Sequence, residues 1–202
     1  MENQKFHYMV KLIGENKIQC AVFISGRGTN LKSIFNFSKT KHSKINIQIV
    51  ISNKHDVDGL KFAKKNKIKT KIFNFNNIVL TENRIIKLLK KNNIKYIFLA
   101  GFMKILSKRF IKKFKNPILN IHPSLLPKYK GLNTHKKVIQ NKEKFSGCTV
   151  HFVNEKLDSG KIIMKKKVKV LKKDTPNSLS MKILKEENKL YPKAISKIIS
   201  KI

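Results

Sequence analysis

Short apolar runs alternate with stretches of helical periodicity along most of the chain. Gln19 to Ile24 is a compact apolar run ended by Ser25-Gly26-Arg27-Gly28-Thr29-Asn30, after which Leu31, Ile34 and Phe35 fall at helical spacing. That order is strand, glycine turn, helix. Ile45 to Ser52 reads as a second strand, Gly59 to Asn66 as a helix and Thr70 to Phe75 as a third strand. Thr81 is the expected N-cap of a helix carrying Ile85, Ile86, Leu88 and Leu89 on one face, with Tyr96 to Ala100 as the next strand. Ser107 caps a short helix through Phe114, ahead of a strand over Ile118 to Ile121. After a loop from Pro123 to Gly131, Thr134 is expected to cap a helix to about Asn141. Gly147 to Val153 and Lys161 to Val170 read as two further strands. Thr175 with Pro176 then opens a long C-terminal helix whose Leu179, Ile183, Leu190, Ile195 and Ile199 form a core stripe. Strands separated by helices predict the α/β class, with an open, mainly parallel twisted sheet of about seven strands and helices on both faces.

The 202 residues suffice for one core, or for two subdomains sharing a single sheet. The best boundary lies near Lys115-Asn116-Pro117, within one continuous sheet. No run approaches the roughly 18 apolar residues of a membrane span. Residues 1–17 are mixed and polar, without the apolar core or cleavage pattern of a secretory signal, and are expected to be an extension that need not be ordered. A cytoplasmic protein with no membrane partner is therefore expected. Cys20 and Cys148, far apart and flanked by strand-like sequence, fit reduced core thiols better than a disulfide or metal site.

The formal charge of +35 invites a nucleic-acid reading. Two features argue against a dedicated surface. Arg, the residue suited to bidentate contacts with phosphates and bases, occurs only at 27, 84 and 109, and the lysines are scattered among Asn and Ile through every segment. A chain-wide compositional bias is the simpler explanation, so no specific nucleic-acid partner is expected.

Candidate chemistry gathers in three places. Gly26 and Gly28 permit positive φ and close backbone approach, so the N–H groups of Gly28, Thr29 and Asn30 at a helix start could hold a phosphate. The loop lacks the lysine ending of a P-loop, and Leu31 stands where a dinucleotide fingerprint needs a third glycine, so a mononucleotide phosphate fits better than NAD. A tight turn serving only the fold is the alternative. Asn120-Ile121-His122-Pro123 follows the apolar run at Ile118, and alternation puts the amide and the imidazole on one side of the strand. Pro123 cannot continue a central strand, which places His122 at its end. Asp158, one of four aspartates, sits in Leu157-Asp158-Ser159-Gly160, where it could orient an imidazole or serve only as a turn residue. Amide, proton carrier and carboxylate together are what acyl transfer to an amine requires.

From about residue 19 to 200 the chain resembles the folate-dependent formyltransferases, specifically the glycinamide ribonucleotide formyltransferase family. The resemblance rests on residues 25–31, on Leu99-Ala100-Gly101-Phe102-Met103-Lys104-Ile105-Leu106, on Asn120 through Gly131, and on Val150-His151-Phe152-Val153 with Leu157-Asp158-Ser159-Gly160. It implies a Rossmann-like formyltransferase fold and transfer of a formyl group from 10-formyltetrahydrofolate to the glycine amine of glycinamide ribonucleotide in purine synthesis, with no metal. It further implies that Asn120, His122 and Asp158 are catalytic, and that Gly28, Thr29 and Asn30 bind the substrate phosphate with Glu187 near the ribose. Leu99, Met103, Lys104, Ile105, Leu106 and Val153 would form the pterin pocket, although Met103 to Leu106 could equally be plain core. On this reading 18–115 is the nucleotide phosphate-binding half and 116–202 the catalytic and folate-binding half, in a monomer or weak homodimer. Lys130 and Asn133 depart from the proline and histidine usual in the family.

Three rivals are weaker. A methionyl-tRNA formyltransferase would carry a further tRNA-binding domain of roughly 100 residues, for which this length leaves no allowance. A formyltetrahydrofolate hydrolase would need an N-terminal regulatory domain longer than residues 1–17. A basic nucleic-acid-binding protein on the same fold would lose affinity steeply with salt, whereas catalytic turnover would not.

Overall fold

The computed structural model describes residues 17–200. Apart from Lys17, the expected N-terminal extension lies outside the described residues. Seven strands form one sheet: β1 (Ile18–Ile24), β2 (Ile45–Ser52), β3 (Lys69–Ile72), β4 (Tyr96–Leu99), β5 (Ile118–His122), β6 (Phe145–Phe152) and β7 (Ile162–Lys169). Six helices cover it: α1 (Thr29–Ser38), α2 (Asp58–Lys65), α3 (Ile78–Lys91), α4 (Lys108–Phe114), α5 (Thr134–Gln140) and α6 (Pro176–Ile199). The strand order is β3-β2-β1-β4-β5-β6-β7. All pairs up to β4–β5 are parallel, and β5–β6 and β6–β7 are antiparallel. The sheet is thus open and mainly parallel, as the pattern predicts.

Alternation along each strand feeds two cores. On β1, Cys20, Val22 and Ile24 face one apolar layer with residues of α1, α2, α5 and α6, while Ala21 and Phe23 face the other with residues of α3 and α4. Both faces of the sheet are therefore covered, which is why the parallel strands read as continuous apolar runs. Cys20 and Cys148 are free and buried in the first layer; burial pushes the Cys20 thiol far up and Cys148 up to about 12.

Several boundaries differ from the sequence reading, each for a local reason. The third strand ends at Ile72, and Phe75 turns its side chain into the second core. Helix α3 begins at Ile78 because Asn77 accepts the Leu80 N–H at 3.1 Å; Thr81 lies inside the first turn and donates to the Asn74 carbonyl instead. Asn133, in a left-handed conformation, takes the N-cap place expected of Thr134. Ser107 does cap α4, its Oγ accepting from Phe110, and Thr175 closes a reciprocal capping box with Ser178. The expected stripe on α6 is buried along its length.

Candidate active site

In an open parallel sheet, ligands settle outside the carboxyl ends of the strands where the order reverses. Here that point lies between β1 and β4. A cleft of about 710 Å³ opens there and runs across the end of β5 to α6.

At its β1 end, Gly28 is the left-handed N-cap of α1, with φ 72°. A Cβ there would stand 2.6 Å from Gly59 Cα, so both the backbone angle and the close approach of α2 require glycine. The first-turn amides of α1 have no intrahelical acceptor, and Gly28, Thr29 and Asn30 line the cleft. Asn30 donates from Nδ2 to Glu187 Oε2 at 2.9 Å, and its Oδ1 is buried without a partner. Burial pushes the Glu187 carboxyl up to about 7, against the opposing pull of the Asn30 hydrogen bond.

The β5 end carries the polar cluster. Strand pairing sets Asn120 opposite His151 and His122 opposite Thr149. His151 Nδ1 lies 2.8 Å from the Phe152 carbonyl, which only accepts, so that nitrogen carries the proton. Burial holds the His151 ring below its ordinary value, more strongly than the Phe152 bond and Asp158 raise it. Neutral Nε2 is then free to accept from Asn120 Nδ2 at 3.3 Å. His122 Nε2 lies 2.8 Å from the Tyr129 carbonyl and Nδ1 3.3 Å from Asp158 Oδ2. Both of its nitrogens face acceptors, an arrangement satisfied by an imidazolium beside a carboxylate or by a proton shared between them. Asp158 Oδ2 also accepts the Gly131 N–H at 2.9 Å, and Oδ1 lies 3.6 Å from His151 Nε2. Asn120, His122, His151 and Asp158 therefore form one connected group. His135 enters from α5 with Nδ1 unpartnered, its ring lowered by burial and then by His122.

The segment after β4 forms a third wall. Met103 and Ile105 are 65% and 71% exposed, so they are not the plain core that the sequence left open, whereas Leu106 and Leu99 are buried. Every site residue expected from the sequence, from Gly28 through Lys104 and Val153 to Glu187, lines this one cleft. Sequence pattern alone assigns no part to His151 and His135. His151 stands in one of the motifs that carry the resemblance, but only the antiparallel pairing of β6 on β5 reveals its neighbours.

Among the described residues, no group of three or more His, Cys, Asp or Glu is placed to hold a metal ion, and no helix is long and apolar enough to cross a membrane.

Residues 18–195 match the formyl transferase family. The chain is 41% identical over 178 residues to the phosphoribosylglycinamide formyltransferase of Haemophilus influenzae, covering 87% of this chain and 84% of that one. It is 40% identical over 191 residues to the trifunctional purine biosynthetic protein adenosine-3 of Gallus gallus, covering 93% of this chain but only 19% of the relative, so it spans about a fifth of that protein. The crystal structure of phosphoribosylglycinamide formyltransferase from Anaplasma phagocytophilum superposes with a TM-score of 0.86 at 38% identity, covering 91% of this chain and 87% of that one. With the matched family spanning nearly all of the described residues, the chain belongs to the formyl transferase family.

Proposed function

We propose that the protein transfers the formyl group of 10-formyltetrahydrofolate to the glycine amine of glycinamide ribonucleotide, a step of purine synthesis. The single observation that carries this reading is the convergence of Asn120, His122 and Asp158 in the same cleft as a backbone cradle for an anion. The relatives named phosphoribosylglycinamide formyltransferase support it.

The residues fit both substrates. Gly28, Thr29 and Asn30 offer backbone N–H groups and a helix N-terminus to the phosphate, and Glu187 offers an acceptor to a ribose hydroxyl. The exposed faces of Met103 and Ile105, with Leu99, Leu106 and Val153, provide an apolar wall that a flat ring system would cover, while Lys104 offers a cation at the rim. The donor brings an activated formyl carbon on a leaving nitrogen. The new bond joins that carbon to the glycine amine, the bond to the folate nitrogen breaks, one proton leaves the amine and one returns to the folate nitrogen.

The chain's own groups set the barrier. Asn120 Nδ2 donates toward the carbonyl oxygen as negative charge develops, a contribution typically of about 3 kcal/mol for one preorganised donor. His122 stands beside it to stabilise that charge. Asp158 holds His122 in orientation and relays the proton, with water completing the path. His151 accepts from Asn120 and thereby aims its amide. The phosphate-binding half is residues 18–115 and the catalytic half 116–202, joined by the β4–β5 pairing.

No specific nucleic-acid partner is needed for this reaction, and the protein acts as a monomer or weak homodimer in the cytoplasm. The test is acceptor choice. Purified protein supplied with 10-formyltetrahydrofolate is expected to formylate glycinamide ribonucleotide and not methionyl-tRNA; the reverse preference would replace the reading.

A further inference from the structure

Ser25 stands where the two ligand regions of the cleft meet, yet its hydroxyl is engaged with protein on both sides. Its Oγ accepts the backbone N–H of Met103 at 2.7 Å and donates to Asn53 Oδ1 at 2.5 Å. Its own backbone N–H donates to the Gly101 carbonyl at 3.1 Å. The ends of β1 and β2 and the segment after β4 thus converge on one small side chain that is 6% exposed. One residue on, the Gly26 carbonyl accepts the Gly59 N–H at 3.1 Å, which fastens the same loop to the start of α2.

The chemistry of the junction is specific. A hydroxyl donates and accepts at once, and alanine does neither, so its removal leaves the Met103 N–H without a partner in a part-buried place and disfavours the observed position of that segment. Gly28 to Asn30 follow Ser25 on one side of the junction, and Met103 to Leu106 continue from the other. Asn53 directly follows β2, where dinucleotide sites hold a ribose with an acid; here its side-chain oxygen faces Ser25 instead.

We propose that Ser25 is a positioning residue that couples the two subsites: it fixes the Met103–Leu106 wall against the Gly28–Asn30 loop, so that a bound ribonucleotide phosphate raises the affinity for a folate. The inference rests on the substrate reading above. A ligand in the loop restrains its backbone, the restraint passes through the Ser25 hydrogen bonds to Met103, and the second ligand has less ordering left to do. By linkage the effect is reciprocal.

Titration calorimetry of the full chain tests this with tetrahydrofolate as the probe, with and without saturating glycinamide ribonucleotide, a pair that cannot turn over. In the wild type the ribonucleotide is expected to tighten tetrahydrofolate by about tenfold, or about 1.4 kcal/mol. In Ser25→Ala that ratio falls to near one, and Ser25→Thr restores it. Asn53→Ala keeps the hydroxyl for Met103 but removes its acceptor, and is expected to give an intermediate ratio; it carries the test alone if Ser25→Ala does not fold. No wild-type binding of either ligand would sink the substrate reading itself. Binding of both ligands with no tightening in the wild type overturns the coupling. So does a ratio unchanged in Ser25→Ala, or in Asn53→Ala where it stands alone, even with a lowered melting temperature.

Discussion

The glycine loop after β1 and the polar cluster at the end of β5 share one cleft but are made from different materials. The loop is a backbone device: a left-handed Gly28, a close approach by Gly59 and the free amides of a helix start. The cluster is a side-chain device, in which residues from β5, β6 and the turn at Asp158 contact one another at 3.3 to 3.6 Å. Backbone geometry tolerates changes to most side chains and fails at its glycine. A side-chain network fails at each member. The first suits grip and the second suits chemistry, so substitutions should separate affinity from turnover.

The sharpest separation is expected from Asn120→Ala and His122→Ala. Each should lower kcat by about two orders of magnitude or more while the ribonucleotide KM stays near wild type. An equal rise in KM would show that the cluster grips as well as reacts. Gly28→Val attacks the other device and should raise the ribonucleotide KM by about tenfold or more through strain and collision with Gly59. A normal KM would remove the phosphate cradle from the account.

Glu187 stands against the loop through Asn30 and gives a smaller effect with a definite sign. Its folded value, about 7, lies above the ordinary carboxylate value, so the neutral form is the one the fold favours. The contribution to stability is full below the unfolded value of about 4.3 and is lost as pH rises through about 7. Glu187→Gln should therefore gain stability relative to wild type between pH 5 and pH 8, by no more than about 3 kcal/mol, measured as the difference in denaturant midpoints. A difference independent of pH would mean that the carboxyl does not titrate there. The least effect is expected at an exposed ion pair: Lys112→Ala, which breaks the 3.4 Å contact with Glu155, should change stability by about 0.5 kcal/mol or less.

What was legible in the sequence follows the range of the interactions. Ser107 and Thr175 announced their helices because a cap acts over three residues. Thr81 and Thr134 misled because Asn77 and Asn133 stand just upstream and end the preceding loop by other means, one with its side chain and one with a left-handed backbone. Asn120 and His122 could be placed on one side of a strand by alternation alone. Asp158 stood out as a scarce acid in a turn, but its pairing with His122 could not be read from the pattern, since 36 residues and two changes of direction separate the two. His151 remained hidden for the same reason: a histidine in an apolar strand shows nothing until the strand pairs. The apolar wall was ambiguous because Met103, Ile105 and Leu106 are alike in hydrophobicity, and only the fold turns the first two outward and the third inward.

The most direct measurement is a single-turnover experiment with enzyme in excess and a labelled formyl group on the folate, quenched on the millisecond-to-second scale, for wild type and His122→Ala side by side. The account predicts stoichiometric label in the ribonucleotide with wild type and a chemical step at least about a hundredfold slower in the variant, with both ligands still bound. Transfer at the wild-type rate in the folded variant would contradict it.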